Sequence, residues 1–396
     1  MKSLFFLLVC TLFLHATTLS LDEILQKLRH EHPMAKSTQA FEQAYDSQNR
    51  AISSRQPLGF LTEGTYAKPD LDKSGYEYSV GVEQNFMHPS VKKNTIKSAK
   101  YASDAEILSL KHDFALLENE VRLLYHINCL DKKNIEQYKK SFLAFEAIYT
   151  KKEKSYKYGE TSKKELLQLQ IELERLKNEY RYYENEVKIS RDNLQSKILL
   201  PFFKDKELSC EDIKAVTNEL SFNDVQESLQ EQSLNKKIQS LQSDFDKYNA
   251  PFDSFALRAS YQNEIDADRF TLALSMPLNF TTSINEESRA AALHKKSAAQ
   301  YEKEGLKLQK ASNTEALKKE LTQSFESITA QKAMLAKYEN ELMPLIESGY
   351  ALGEDSAIEY LLSQRELWKL KEELTLHHKK YYETLFKLYS VLQIKE

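Results

Sequence analysis

The chain has 396 residues, a formal net charge of −4, 29 % charged residues, and only eight glycines and eight prolines. So little punctuation, with Lys, Glu, Leu and Gln dominant, argues for long helices rather than ordinary globules. The near balance of charge gives no reason to expect a nucleic-acid surface, and no G-x-x-x-x-G-K, G-x-G-x-x-G, G-x-S-x-G or H-E-x-x-H fingerprint points to catalysis or a cofactor.

At the N-terminus Lys2 precedes an apolar run from Leu4 to Leu14 and a small residue, Ala16. This pattern predicts a secretory signal peptide over 1–16, because the run is too short for a spanning helix of roughly 20 residues. Val9 before Cys10 argues against lipidation. Two further cysteines remain, Cys129 in a helical stretch and Cys210 at a junction. An exported setting permits a bridge between them; two buried or idle thiols are the simpler expectation.

Residues 19–52 open LSLDEILQKL and read as an amphipathic helix with a capping box at Ser20 and Glu23, and a kink or restart at Pro33. The period then changes to two. In 76–86, Tyr76, Tyr78, Val80, Val82, Gln84 and Phe86 alternate with polar residues, and with Leu58–Ala67 they predict a β-hairpin over 58–86, joined by the loop PDLDKSG at 69–75. Helical period returns over 90–156. There Ile107, Leu110, Phe114, Leu117, Val121 and Leu124 form a strict heptad seam, and Leu116, Leu123, Ile127 and Leu130 a second row, so this helix needs neighbours on two sides. At 1.5 Å per residue it is about 100 Å long.

Residues 156–170 (YKYGETSKKELLQLQ) and 350–364 (YALGEDSAIEYLLSQ) align at a constant offset of 194, with seven identities in fifteen positions. Each copy predicts a helix–turn–helix tip. Gly159 or Gly353 turns the backbone out of one helix, Ser162 or Ser356 caps the next, and Glu165 or Glu359 completes a capping box. The chain is therefore a duplicated long helical hairpin.

After the first tip a helix over 162–199 carries Leu166, Leu169, Leu173, Leu176, Tyr180, Tyr183, Val187, Ser190 and Leu194 at heptad spacing. A linker follows at 201–219. The second repeat, 220–396, repeats the order of the first, 17–200: a helix over 220–249 opening LSFNDVQESL, a β-hairpin over 254–277 with an acidic loop, a long helix over 283–350, the tip at 350–356, and a last helix over 356–394 with Leu367, Leu370, Leu374 and Leu388 on one seam. Helices 162–199 and 220–249, end to end, match the length of the long helix at about 100 Å.

The expected fold class is thus mainly α with a small β part. Four strands with apolar, aromatic positions on one face and Ser, Thr, Gln, Arg and Glu on the other cannot close a barrel alone, so copies of the chain are expected to pool them. The duplicated order, the LSLDE opening at 19–23 and the Y-x-x-G-x-x-S-x-x-E-x-L tips resemble the TolC-like outer membrane efflux proteins over the whole mature chain. The resemblance implies a homotrimer with one twelve-stranded β-barrel in the outer membrane of a Gram-negative bacterium, over an α-barrel tunnel extending into the periplasm. It implies docking of a periplasmic adaptor, and through it an inner-membrane transporter, at Tyr156, Gly159, Glu160 and Ser162 of the first tip and Tyr350, Gly353, Glu354 and Ser356 of the second. It also implies a carboxylate ring at the pore mouth. Glu359 matches its first acid, Asp355 can assist, and Leu362 stands where the second acid is expected. The linker at 201–219 is too short for an elaborate equatorial belt. The rival expectation is a periplasmic coiled-coil adaptor or tether, which two hairpins and two strand pairs disfavour. His30 and His32, and His377 and His378, are spaced wrongly for a metal site.

Overall fold

The computed structural model describes residues 18–68, 74–204, 206–218, 227–279 and 282–393, so the signal-peptide expectation at 1–16 and the LSFNDV stretch of the second repeat lie outside the described residues. The chain folds as two compact units, one of residues 1–36, 114–224 and 312–396, the other of 37–113 and 225–311.

In the second unit the sheet is the central feature. β1 (Leu58–Ala67), β2 (Gly75–Met87), β3 (Ser254–Asn263) and β4 (Asp268–Ser275) form one antiparallel sheet in the order β1-β2-β3-β4. The register carries one apolar row straight across it, Phe60, Val82, Ala259 and Leu272, and one polar row beside it, Glu63, Ser79, Gln262 and Arg269. Because successive residues alternate faces, every aromatic of the pattern falls on one side. Tyr66 meets Tyr76 and Tyr261 meets Phe270, each pair 5.2 Å apart. That side is uncovered: Phe60 is 69 % exposed, Leu272 81 % and Phe270 84 %. On the other side Arg258 pairs with Glu83 at 2.9 Å. The helical part of this unit contains α2 (Pro33–Ser53), the first stretch of α3 (Pro89–Lys157), α5 (Leu229–Lys247) and the first stretch of α6 (Ile284–Lys337). α3 and α5 meet through small residues: Ser240 Oγ donates to the Ser98 carbonyl at 2.9 Å and Ser233 Oγ to that of Ala105 at 2.8 Å.

The other unit has three apolar clusters, and α3 explains two of them. Its heptad row packs Val121, with Phe114, Leu117 and Leu124, against Leu21, Ile24 and Leu28 of α1 (Leu21–Glu31) and Leu194 and Ile198 of α4 (Lys163–Ile198). Its second row sends Leu123 and Leu130 to Leu317, Leu321 and Ile328 of α6 and to Tyr381, Leu385 and Leu388 of α8 (Ala357–Leu392). The third cluster joins Tyr138 and Phe145 of α3, Leu169 and Leu176 of α4, and Leu361 and Trp368 of α8. His126, inside the second contact zone, donates from Nδ1 to the Arg122 carbonyl and accepts the Lys214 N–H at Nε2, 3.0 Å away. Burial lowers its pKa to about 4, so it stays neutral.

Set against the sequence expectations, one feature agrees and three differ. The restart expected at Pro33 is present, with α1 ending at an extended His32 and α2 opening on Pro33, which serves as a first-turn residue. The helix expected over 220–249 begins at Leu229, after non-helical residues 227–228, where Ser228 and Glu231 form a complete capping box. The long helix of 283–350 is not unbroken. A π turn at Tyr338–Leu342, closed by the Met343 N–H on the Tyr338 carbonyl, separates α6 from α7 (Met343–Leu352). Pro344 supplies the reason, since it has no N–H for an α-helical bond and its ring crowds the preceding turn. Finally, the thiols are not idle. Cys129 and Cys210 form a disulfide with Cα atoms 5.5 Å apart. Sequence separates them by 81 residues, and only the path of the linker across α3 brings them together.

Candidate docking and aperture site

The two tips lie in the same unit and are built by the same rules. At the end of α3, the Glu160 N–H donates to the Ser155 carbonyl at 2.9 Å and the Gly159 N–H to that of Tyr156 at 3.0 Å. At the end of α7, the Glu354 N–H donates to Gly349 at 2.9 Å and the Gly353 N–H to Tyr350 at 3.2 Å. Both are Schellman closures, and each needs a left-handed residue after the helix. Gly159 (φ +76°) and Gly353 (φ +79°) provide it. Two residues after the turn, Ser162 and Ser356 adopt extended conformations and cap α4 and α8, accepting the Glu165 and Glu359 amides at 3.1 and 3.2 Å.

From there the copies diverge. At the second tip the capping box is complete, with Glu359 Oε2 accepting the Ser356 N–H at 2.9 Å. That backbone bond comes first among the causes that lower the Glu359 pKa, so the exposed carboxylate is charged. At the first tip Glu165 turns instead to Lys152, 2.9 Å away, so the box expected there is only half formed. Asp355 tucks over Gly349, where a Cβ would stand 2.2 Å from its Oδ2. Tyr350 stacks on Tyr360, centroids 4.9 Å apart and 14° between planes. The first copy has Thr161, Ser155 and Leu166 at the three corresponding positions, and Tyr156 has no stacking partner among the described residues.

Charge separates the copies further. Residues 151–165 carry six lysines against three glutamates, while 345–359 carry four carboxylates and no cation. Glu160, Ser162, Gly353 and Glu354 are exposed, as are Tyr158 and Leu352 at the apices. Leu362, standing where a second aperture acid is expected, is exposed and apolar.

Behind the tips α8 is held against α4 and α3. Arg365 pairs with Glu172 at 3.4 Å, Tyr183 donates to Glu372, and the Trp368 ring stands edge-on to Tyr138 at 4.4 Å. The heptad reading of α8 misses Trp368, Tyr381, Tyr382 and Leu385, all buried. Their aromatic rings share the helix with the leucine seam, and spacing alone did not rank them above it. Among the described residues no group of three His, Cys, Asp or Glu side chains stands close enough to hold a metal ion.

No family model and no curated protein sequence matches this chain. Solved structures do. The Campylobacter jejuni outer membrane channel CmeC superposes with a TM-score of 0.78 at 12 % identity, over 94 % of this chain and 85 % of its own. The Vibrio cholerae outer membrane protein VceC gives 0.72 at 13 %, over 94 % and 95 %. The open state of the Neisseria gonorrhoeae outer membrane channel MtrE gives 0.71 at 14 %, over 94 % and 88 %. Such coverage at such low identity is a likeness of architecture, and by it the chain has the fold of the TolC-like outer membrane channel proteins.

Proposed function

We propose that the chain is one subunit of an outer-membrane channel of a Gram-negative bacterium. The observation that carries this reading is the sheet. β1 and β4 leave unpaired edges, one face is apolar and bare, and the other is polar. Open edges cannot sit in lipid, and four strands cannot close on themselves. Three copies with twelve strands can form a barrel whose aromatic face meets the outer membrane lipid and whose polar face meets water. The helices then form a tunnel wall in the periplasm.

In this reading the tips are the docking ends. A periplasmic adaptor engages Tyr156, Gly159, Glu160 and Ser162 on one hairpin and Tyr350, Gly353, Glu354 and Ser356 on the other, and connects the duct to an inner-membrane transporter that hands over substrate for export. Asp355 and Glu359, repeated threefold, favour cations at the mouth.

The test is the mass of the detergent-extracted protein from the outer-membrane fraction together with its conductance in a planar bilayer. A trimer with cation-preferring channels is expected; a soluble monomer or dimer recovered from the periplasm would overturn the reading. In the channel, Glu359→Ala is expected to lower cation preference in the single-channel reversal potential. An unchanged potential would remove Glu359 from the mouth and leave it a capping residue.

A further inference from the structure

Residues 206–218 form no helix and touch a strand partner only at the Leu19–Leu208 bridge. Their polar groups are bound instead, largely by side chains, from elements far apart in sequence. From α3, Tyr125 Oη accepts the Cys210 N–H at 3.2 Å and His126 Nε2 accepts that of Lys214. From α8, Tyr381 Oη accepts the Thr217 N–H at 3.2 Å and donates to the Thr217 carbonyl at 2.9 Å, while Tyr382 donates to the Lys214 carbonyl. Ahead of α1, Leu19 bonds to Glu207 and Ser209, and the Leu21 N–H donates to Asp212 at 2.9 Å. From α4, Arg191 donates to the carbonyls of Phe203 and Lys206. Four elements thus grip one extended strap, and the Cys129–Cys210 bridge ties it covalently to α3.

The two cysteines are not equally exposed. Cys129 is 2 % exposed within the cluster of Val121, Tyr125 and Leu194, whereas Cys210 sits half-buried on the strap. An oxidant can meet Cys210 on a loose strap but cannot reach Cys129 once the helices have closed over it.

We propose that this strap is a redox-closed clasp, and that the chain is a substrate of a disulfide-donating protein partner that acts before the unit closes. The Cys210 thiolate attacks the partner's disulfide, forming a mixed disulfide and releasing one partner thiol. The Cys129 thiolate then attacks Cys210 Sγ, forming the internal bridge and releasing the second partner thiol. Two electrons pass to the partner, and the two protons of the chain's thiols end on the partner's sulfurs or in solvent. The oxidising setting for this step rests on the outer-membrane reading; the grip on the strap does not.

Two measurements test it, both on the full chain with Cys10→Ser to leave a single pair. In cells, Cys129→Ser is expected to accumulate a mixed disulfide at Cys210, seen as a reducible mass increase, and Cys210→Ser is not; equal adducts, or none, would overturn the exchange route. In vitro, the purified protein is digested with trypsin before and after reduction of the already folded state. Cleavage after Lys206 and Lys214 is expected to rise at least about tenfold while cleavage at Lys163 in the tip stays constant. Unchanged strap cleavage would overturn the clasp. Reducing the folded protein avoids any variant that fails to fold. A monomer whose strap is protected before reduction and cut after it would count against the channel, not against the clasp.

Discussion

At Gly159 and Gly353 the chain leaves a helix through the same left-handed residue, and at Ser162 and Ser356 it enters the next through the same side-chain bond. Around this shared backbone the residue identities continue at Tyr156/Tyr350, Glu160/Glu354 and Glu165/Glu359, but the net charge and the side-chain contacts differ. The first tip is lysine-rich, its Glu165 drawn off to Lys152. The second is acidic, its Glu359 folded back onto its own cap and its Asp355 packed over a glycine. Duplication therefore preserved what the backbone requires and released what it does not. Left-handed glycine and a hydroxyl at the N-cap have few substitutes, whereas the same turn is surrounded by lysines in one copy and by carboxylates in the other. A partner that meets both tips meets one backbone shape with two opposite electrostatic signs.

The largest break in this comparison is expected behind the tips. Trp368 anchors the second hairpin against Tyr138 and Tyr183, and its counterpart 194 residues earlier is Glu174. Trp368→Ala should cost about 3–5 kcal/mol of unfolding free energy in a denaturant titration, as large aromatic truncations in cores do. Glu174→Ala should cost under about 0.5 kcal/mol, the usual scale of a surface change. Comparable losses would mean that the two hairpins are anchored alike.

Smaller effects test the shared backbone. Gly159→Ala and Gly353→Ala force a Cβ into the left-handed region, at about 1–2 kcal/mol each. Nothing lies within 4 Å of either Cβ position, so backbone strain is the whole effect and the two losses should agree. A difference above about 1 kcal/mol would show that the turns are not equivalent. The serine caps come next. Ser162→Ala and Ser356→Ala should each lose about 1 kcal/mol. The second should lose more, because removing its hydroxyl also loosens the Glu359 half of the box.

What was legible in the sequence follows the same division. The duplicated glycines and serines, the two heptad rows of α3 and the two-residue alternation of the strands are local signals, and the structure carries all of them. What was not legible depends on contacts between distant segments. Glu165 has the capping-box spacing, yet Lys152 across the turn takes its carboxylate. Cys210 lies in a stretch without period, and side chains distant in sequence, Tyr125, His126 and Tyr381 among them, determine where that stretch runs. Pro344 is visible in the sequence, but the sequence does not say that a π turn rather than a break absorbs it.

The finest distinction between the tips is their response to acid. The Glu359 pKa lies below its ordinary value in the folded chain, chiefly through the Ser356 backbone N–H. A carboxylate with a depressed folded pKa adds stability that is present above its unfolded pKa, about 4.3 for glutamate, and is lost as pH falls through the lower folded value. The Ser162 hydroxyl, which caps the first tip, carries no such titration. Amide hydrogen exchange followed from pH 5 downward, corrected for intrinsic rates, should therefore show the Ser356 N–H losing protection while the Glu165 N–H, held by Ser162 Oγ at 3.1 Å, keeps its own. In Glu359→Gln the Ser356 amide should show no titration over the same range, because an uncharged acceptor replaces the carboxylate. If both amides lose protection together in the native chain, the tips are opening as a unit, and the difference between a complete and a half-formed capping box has no energetic consequence.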